Sequence, residues 1–208
     1  MRRPGNRSRA VLSGGLAIVL VGVAVVLFTA ATRGPRQADP PPAQPDTVLA
    51  QTVPAAPALD RSAPTRLVIP RIGLDTALGR SGTTATGSLA APADFATASW
   101  FEQGASPGEP GSAVLLGHVD SVDGPAVFFR LGELTAGAEI QVSRADGSTA
   151  RFVVDRTETV TKDAFPTDRV FADDGTARLR LITCGGAFDT IRGRYLSNVI
   201  VSATLVAT

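Results

Sequence analysis

The sequence predicts an all-β domain, a barrel or a sandwich, set behind one apolar N-terminal helix. Three observations carry this. From Thr65 onward, seven or eight short apolar runs are separated by Gly, Pro and Asp. None of those runs keeps a helical period over a helix-sized window. Residues 10–32, in contrast, form twenty-three positions without a charge, rich in Val, Leu, Ala and Gly.

The first nine residues are basic, with Arg2, Arg3, Arg7 and Arg9. The apolar segment 10–32 is long enough, at about 1.5 Å per helical residue, to cross a bilayer core of roughly 30 Å. A basic flank ahead of it favours a cytoplasmic segment 1–9; Arg33 and Arg36 weaken that asymmetry without reversing it. Thr29 and Ala31 would also suit a cleaved signal peptide. Apolar regions of signal peptides are usually only about 7–15 residues long, so an uncleaved transmembrane anchor is the expectation. Residues 33–64 hold Pro35, Pro40, Pro41, Pro42, Pro45, Pro54, Pro57 and Pro64. They read as an extended, disordered extracytoplasmic linker, and the folded domain is expected over 65–208.

In that domain Arg66–Pro70 is a first strand, continued past the proline by Arg71–Leu74. Ser99–Glu102 and Ser112–Val119 follow. Ala126–Leu131 reads as a short helical turn, because Val127, Phe128 and Phe129 cannot share one side of a strand. Glu139–Arg144 and Ala150–Thr159 flank Asp146-Gly147, a hairpin signal. Thr161–Ala177 is irregular. Leu179–Cys184 and Asn198–Val206 close the series.

The charge balance excludes one class of partner. Residues 1–64 carry seven Arg against three Asp; residues 65–208 carry thirteen basic and sixteen acidic side chains. The basic excess belongs to the tail, so no nucleic-acid partner is expected. Reactive residues are scarce: the chain has one Cys, Cys184, and one His, His118. No intramolecular disulfide can form. His118-x-Asp120 lacks the three or four ligands of a metal site, and Asp173-Asp174 reads as a solvated loop. Neither a metal nor a cofactor is expected.

Alternate residues of a strand share a face. Val114, Leu116 and His118 therefore lie together, as do Arg180, Ile182 and Cys184. If these strands are parallel neighbours, the imidazole and the thiol meet above one edge. A thiolate can attack a carbonyl, a histidine can return the proton, and the oxyanion needs a donor. Arg192 or Arg194 could supply it. A cysteine that merely packs inside a non-catalytic surface β-domain is the alternative. A second is an L,D-transpeptidase, whose Ser-His-Gly-Cys-x-Arg pattern finds Ile182 where a histidine should stand.

Several stretches then point to a family. G-H-V-D at Gly117–Asp120, G-P-A-V-F-F-R-L-G-E-L at Gly124–Leu134 and L-I-T-C-G-G at Leu181–Gly186 together resemble a class F sortase of actinobacteria. R-L-V-I-P-R-I-G and S-N-V-I-V-S-A extend the resemblance over 65–208. It implies a closed β-barrel of about eight strands and a membrane-anchored cysteine transpeptidase. It implies cleavage of a Leu-Pro-x-Thr-Gly-like sorting signal on surface proteins, between Thr and Gly. The thioacyl intermediate then passes to an amine, of a peptidoglycan precursor or a pilin. By position Cys184 matches the nucleophile and His118 the general acid/base. Arg194 matches the oxyanion residue, with Arg192 second. Tyr195-Leu196-Ser197-Asn198 departs from the family's Tyr-x-Asp-Asn at Ser197, beside that arginine. Thr183 is implied on the substrate side. Phe165, Val170 and Phe171, in the loop before the nucleophile strand, are expected as an apolar substrate wall or as packing.

Overall fold

Short runs with one apolar face can bury that face by closing a sheet on itself. The computed structural model, which describes residues 56–207, shows this arrangement. Its strands are β1 (Pro64–Ile69), β2 (Leu74–Ser81), β3 (Ala98–Phe101), β4 (Gly111–Leu116), β5 (Asp120–Ser121) and β6 (Gly124–Pro125). They continue with β7 (Glu139–Arg144), β8 (Thr149–Thr161), β9 (Ala177–Asp189) and β10 (Arg194–Leu205). Around the barrel the order is β1-β2-β3-β4-β9-β10-β8-β7, and β7 pairs back to β1. β5 and β6 form a separate two-stranded ribbon. Of the two architectures the sequence leaves open, the barrel is the one observed.

Most neighbours are antiparallel, but β2–β3 and β4–β9 are parallel. The β4–β9 register runs from Gly111↔Ala177 to Leu116↔Ile182. This pairing matters most for function, because it aligns the ends of the two strands.

Leu115, Leu179, Leu181, Phe128, Ile140, Phe152 and Val201 fill the barrel, all fully buried. Each such side chain contributes about 1.5–3 kcal/mol relative to exposure. The outer face of β4, β9 and β10 is apolar too. Val114, Leu116, Ile182 and Ile200 pack there with Phe101 and Val170. Val170 comes from α1 (Thr167–Val170), in the segment between β8 and β9. That segment covers the outer face and leaves a cleft at its upper end.

Three expectations change. The first strand does not continue past Pro70. Pro70–Ile72 is a 3-10 turn, Gly73 takes a left-handed φ of 66°, and the chain doubles back as β2. Residues 56–63, assigned to the linker, lie on the barrel. The Ala56 N–H donates to the Leu205 carbonyl (3.1 Å) and the Leu59 N–H to the Gly108 carbonyl (2.7 Å). The Leu59 side chain joins the core and the Arg61 guanidinium stacks 5.3 Å from the Trp100 ring centroid. Backbone bonds and apolar contacts thus order a stretch whose prolines suggested disorder. Finally, β9 runs beyond Cys184 to Asp189, paired in a hairpin with β10. The anchor expected at 10–32 and the linker up to residue 55 lie outside the described residues. Among those described, no helix is long and apolar enough to cross a membrane.

Candidate active site

The ladder between β4 and β9 has one further bond, from the Gly117 N–H to the Ile182 carbonyl (3.3 Å). His118 and Cys184 each follow that ladder, each two residues past the last paired position, Leu116 and Ile182. Parallel strands in register thus bring the chain's one imidazole and one thiol to the same cleft, of about 750 Å³. Cys184 is partly exposed. Leu89, Leu116, Phe101, Phe165, Phe171 and Ile182 make the cleft's walls largely apolar.

The imidazole is held on two sides. His118 Nε2 lies 2.8 Å from the Pro92 carbonyl oxygen. A carbonyl only accepts, so the proton of this bond sits on Nε2. The Phe95 ring lies against the imidazole at 4.2 Å between centroids, tilted 31°. The backbone behind is also fastened: the Phe128 N–H donates to the His118 carbonyl (2.9 Å). Two residues on, the Asp120 carboxylate accepts from the Tyr195 hydroxyl (2.5 Å), both groups buried. This bond ties the segment carrying His118 to β10.

Around the thiol, Asn198 is the register partner of Cys184 across β9–β10 and lines the cleft. The Lys162 Nζ stands 3.6 Å from the sulfur. Thr183, next to the cysteine, also lines the cleft, and its buried hydroxyl has no hydrogen-bond partner.

Not every residue expected at the site is there. Phe165 and Phe171 line the cleft, but Val170 does not: it is 1% exposed and packs into the outer apolar layer. Val170 is on the inward side of α1, so its role is packing. Arg192 and Arg194 are exposed on the β9–β10 hairpin, outside the cleft lining. Arg192 is occupied by Asp189 at 2.8 Å. Its hydrogen bonds hold the Asp189 carboxyl below the usual carboxylate range, assisted by the backbone N–H of Ile191 and the charge of Arg194. Arg194 pairs with Asp189 in the ladder, four residues before Asn198. At about 3.3 Å per residue, roughly 13 Å of strand separate it from the position facing Cys184.

A model of the sortase domain matches residues 67–206. The chain belongs to the sortase family. Sortases are cysteine transpeptidases of the cell wall, and this sortase shares its fold with solved members of several classes. Sortase C1 of group B Streptococcus (GBS) pilus island 1 superposes with a TM-score of 0.52 at 17% identity, covering 69% of this chain and 65% of that one. A lid mutant of sortase A from Corynebacterium diphtheriae gives 0.53 at 19%, covering 72% and 73%. A sortase D5 transpeptidase from Clostridium perfringens gives 0.51 at 21%, covering 70% and 79%. These identities speak for the fold. No curated protein matches significantly.

Sequence reasoning missed three contributors. Pro92 and Phe95 lie in the connection between β2 and β3, which has no periodic signal, and only the fold brings them to His118. Lys162 carries one sign that could have been read: it is the only lysine, against nineteen arginines.

Proposed function

We propose that this sortase cleaves a Leu-Pro-x-Thr-Gly-like sorting signal between Thr and Gly and transfers the acyl part to an amine of the cell wall or a pilin. The observation that carries this is the alignment of His118 and Cys184 at the ends of parallel neighbours, opening on one largely apolar cleft. An extended peptide with Leu and Pro side chains would bury them against Leu89, Phe165 and Phe171.

In the reaction the Cys184 thiolate attacks the threonyl carbonyl carbon. A C–S bond forms, and the carbonyl π pair moves to oxygen. Collapse breaks the C–N bond as the imidazolium of His118 protonates the departing glycyl amine. An acceptor amine then attacks the thioester, its proton passes to the now neutral His118, and the new C–N bond displaces the sulfur as thiolate. The resemblance implies Arg194, with Arg192 second, as donor for the oxyanion, but both are exposed on the β9–β10 hairpin, outside the cleft lining. The N-terminal segment 10–32 would anchor the enzyme in the cell membrane with the barrel outside. The spread of the Gly117–Asp120, Gly124–Leu134 and Leu181–Gly186 motifs favours class F.

The test incubates the full chain, in detergent, with a panel of Leu-Pro-x-Thr-Gly-like peptides and competing amines, and reads products by mass. Cleavage after Thr and amine-dependent transfer are expected, both abolished by Cys184→Ala. Cleavage that survives this substitution contradicts the reading.

A further inference from the structure

We propose that Lys162, and not an arginine of the β9–β10 hairpin, is the cation that serves Cys184. The inference rests on the transpeptidase reading above for its step in turnover, but its geometry is independent of that reading.

Position comes first. β8 ends at Thr161, and Lys162 opens the 3-10 turn Lys162–Ala164. Val160, Asn198 and Cys184 form one row across β8, β10 and β9. Val160 packs on the outer apolar layer, the face that Cys184 shares. Lys162 is two residues further along, so strand alternation carries its side chain to the same face. Two strand spacings, roughly 10 Å, separate β8 from β9 at this row, a gap that a lysine stem crosses over Asn198. The Nζ–Sγ distance of 3.6 Å is the result.

Availability comes second. None of the ion pairs among the described residues engages Lys162. Arg192, in contrast, is held by Asp189. Between Arg194 and Asn198 the strand offers only Tyr195, Leu196 and Ser197, none of them charged. Among the described residues, no arginine lines the cleft. The chain uses arginine at nineteen positions and lysine at one, and that one touches the one cysteine. A flexible ammonium also suits the task. It is a compact point charge that can follow negative charge from sulfur to the carbonyl oxygen as the C–S bond forms. When the tetrahedral adduct collapses, the electron pair returns to the C=O bond and the amine leaves with the proton from His118. Lys162 donates hydrogen bonds throughout and transfers no proton.

The test compares Lys162→Met, Lys162→Arg and Arg194→Met in the full chain. Two readouts are used: peptide cleavage, and alkylation of Cys184 by anionic iodoacetate against neutral iodoacetamide. Lys162→Met should lower kcat about 10- to 100-fold with KM within about threefold, on the scale of losing an oxyanion donor. It should also lower the iodoacetate-to-iodoacetamide rate ratio about fivefold, because a cation beside the sulfur draws the anionic reagent in. Lys162→Arg should restore much of both, and Arg194→Met should change neither. Lys162→Met with an unchanged ratio and unchanged kcat overturns the proposal, as does loss of kcat in Arg194→Met alone. If the parent chain cleaves no peptide, the transpeptidase reading fails, while the alkylation ratio still decides whether Lys162 serves the sulfur.

Discussion

Gly117→Ala tests whether the fit behind His118 sets the site. Gly117 joins the end of β4 to His118. A Cβ built there would lie 2.6 Å from Phe128 Cδ2, and 2.8 Å from both Phe128 Cγ and Val127 Cγ1. Ordinary carbon contacts are about 3.5–4.0 Å, so the overlap is roughly 1 Å. Phe128 cannot yield easily, because it is fully buried in the barrel core. Overpacking of this kind costs about 1–3 kcal/mol. At about 2–4 °C per kcal/mol for a domain of this size, a 2 kcal/mol loss lowers the melting midpoint by roughly 4–8 °C. The functional effect should be larger. The same Phe128 holds the His118 carbonyl through its N–H, so relief of the clash moves the imidazole against Cys184. A misplacement of about 1 Å can cost about 100-fold in rate. Thermal melts and peptide-cleavage kinetics on Gly117→Ala measure both. Gly82→Ala is the control: its Cβ would meet nothing within 4 Å, and its stability should stay within about 0.5 kcal/mol. A Gly117→Ala chain with parental midpoint and parental kcat would mean that the packing behind His118 does not set the site.

Two further outcomes are expected. Tyr195→Phe removes the 2.5 Å bond to the buried Asp120 and should cost about 1–3 kcal/mol in denaturant unfolding, with a fall in cleavage because β10 no longer holds the His118 segment. Glu109 gives a pH dependence. Burial alone would raise its pKa, but the Ser106 N–H (2.7 Å), the Ser106 side chain and the Arg61 guanidinium (2.9 Å) outweigh burial and lower it below 4.5. A lowered folded pKa gives stability that is present above the unfolded value and lost as pH falls through the folded one. Stability should therefore decline from about pH 4.5 downward, and less steeply in Glu109→Gln, as melting midpoints across the acid range will show.

The sequence displayed the strands well and their ends poorly. Alternation in Leu179–Cys184 and Ser112–Val119 located the two strands that matter, because each buries one face in the barrel and the other under the α1 segment. That they are parallel neighbours depends on pairings between residues more than sixty apart, which no local pattern contains. Pro70 looked like an interruption within one strand; it is the start of the turn that separates β1 from β2. Residues 56–63 looked like spacer because local composition cannot show that Leu59 finds the core and Arg61 finds Trp100. At the site, Cys184 and His118 stood out as the only residues of their kinds. Of the two roles open to Phe165, Val170 and Phe171, Val170 takes packing while the two phenylalanines line the cleft, since which side of a four-residue helix faces inward is settled by packing. The resemblance implies Arg194, with Arg192 second, but Arg194 opens β10 four residues before Asn198, the position facing Cys184, and Arg192 lies in the turn before it. Lys162 is distant in sequence and adjacent in space because β10 lies between β8 and β9.

The most direct measurement is the intact mass of the chain during turnover of a Leu-Pro-x-Thr-Gly-like peptide, quenched in acid before the acceptor amine is added. Turnover through a thioacyl at Cys184 gives a hydroxylamine-labile adduct whose mass equals the peptide up to its threonine, mapped to Cys184 and absent from Cys184→Ala. Product formation with no adduct at Cys184, or an adduct that persists in Cys184→Ala, would contradict that route.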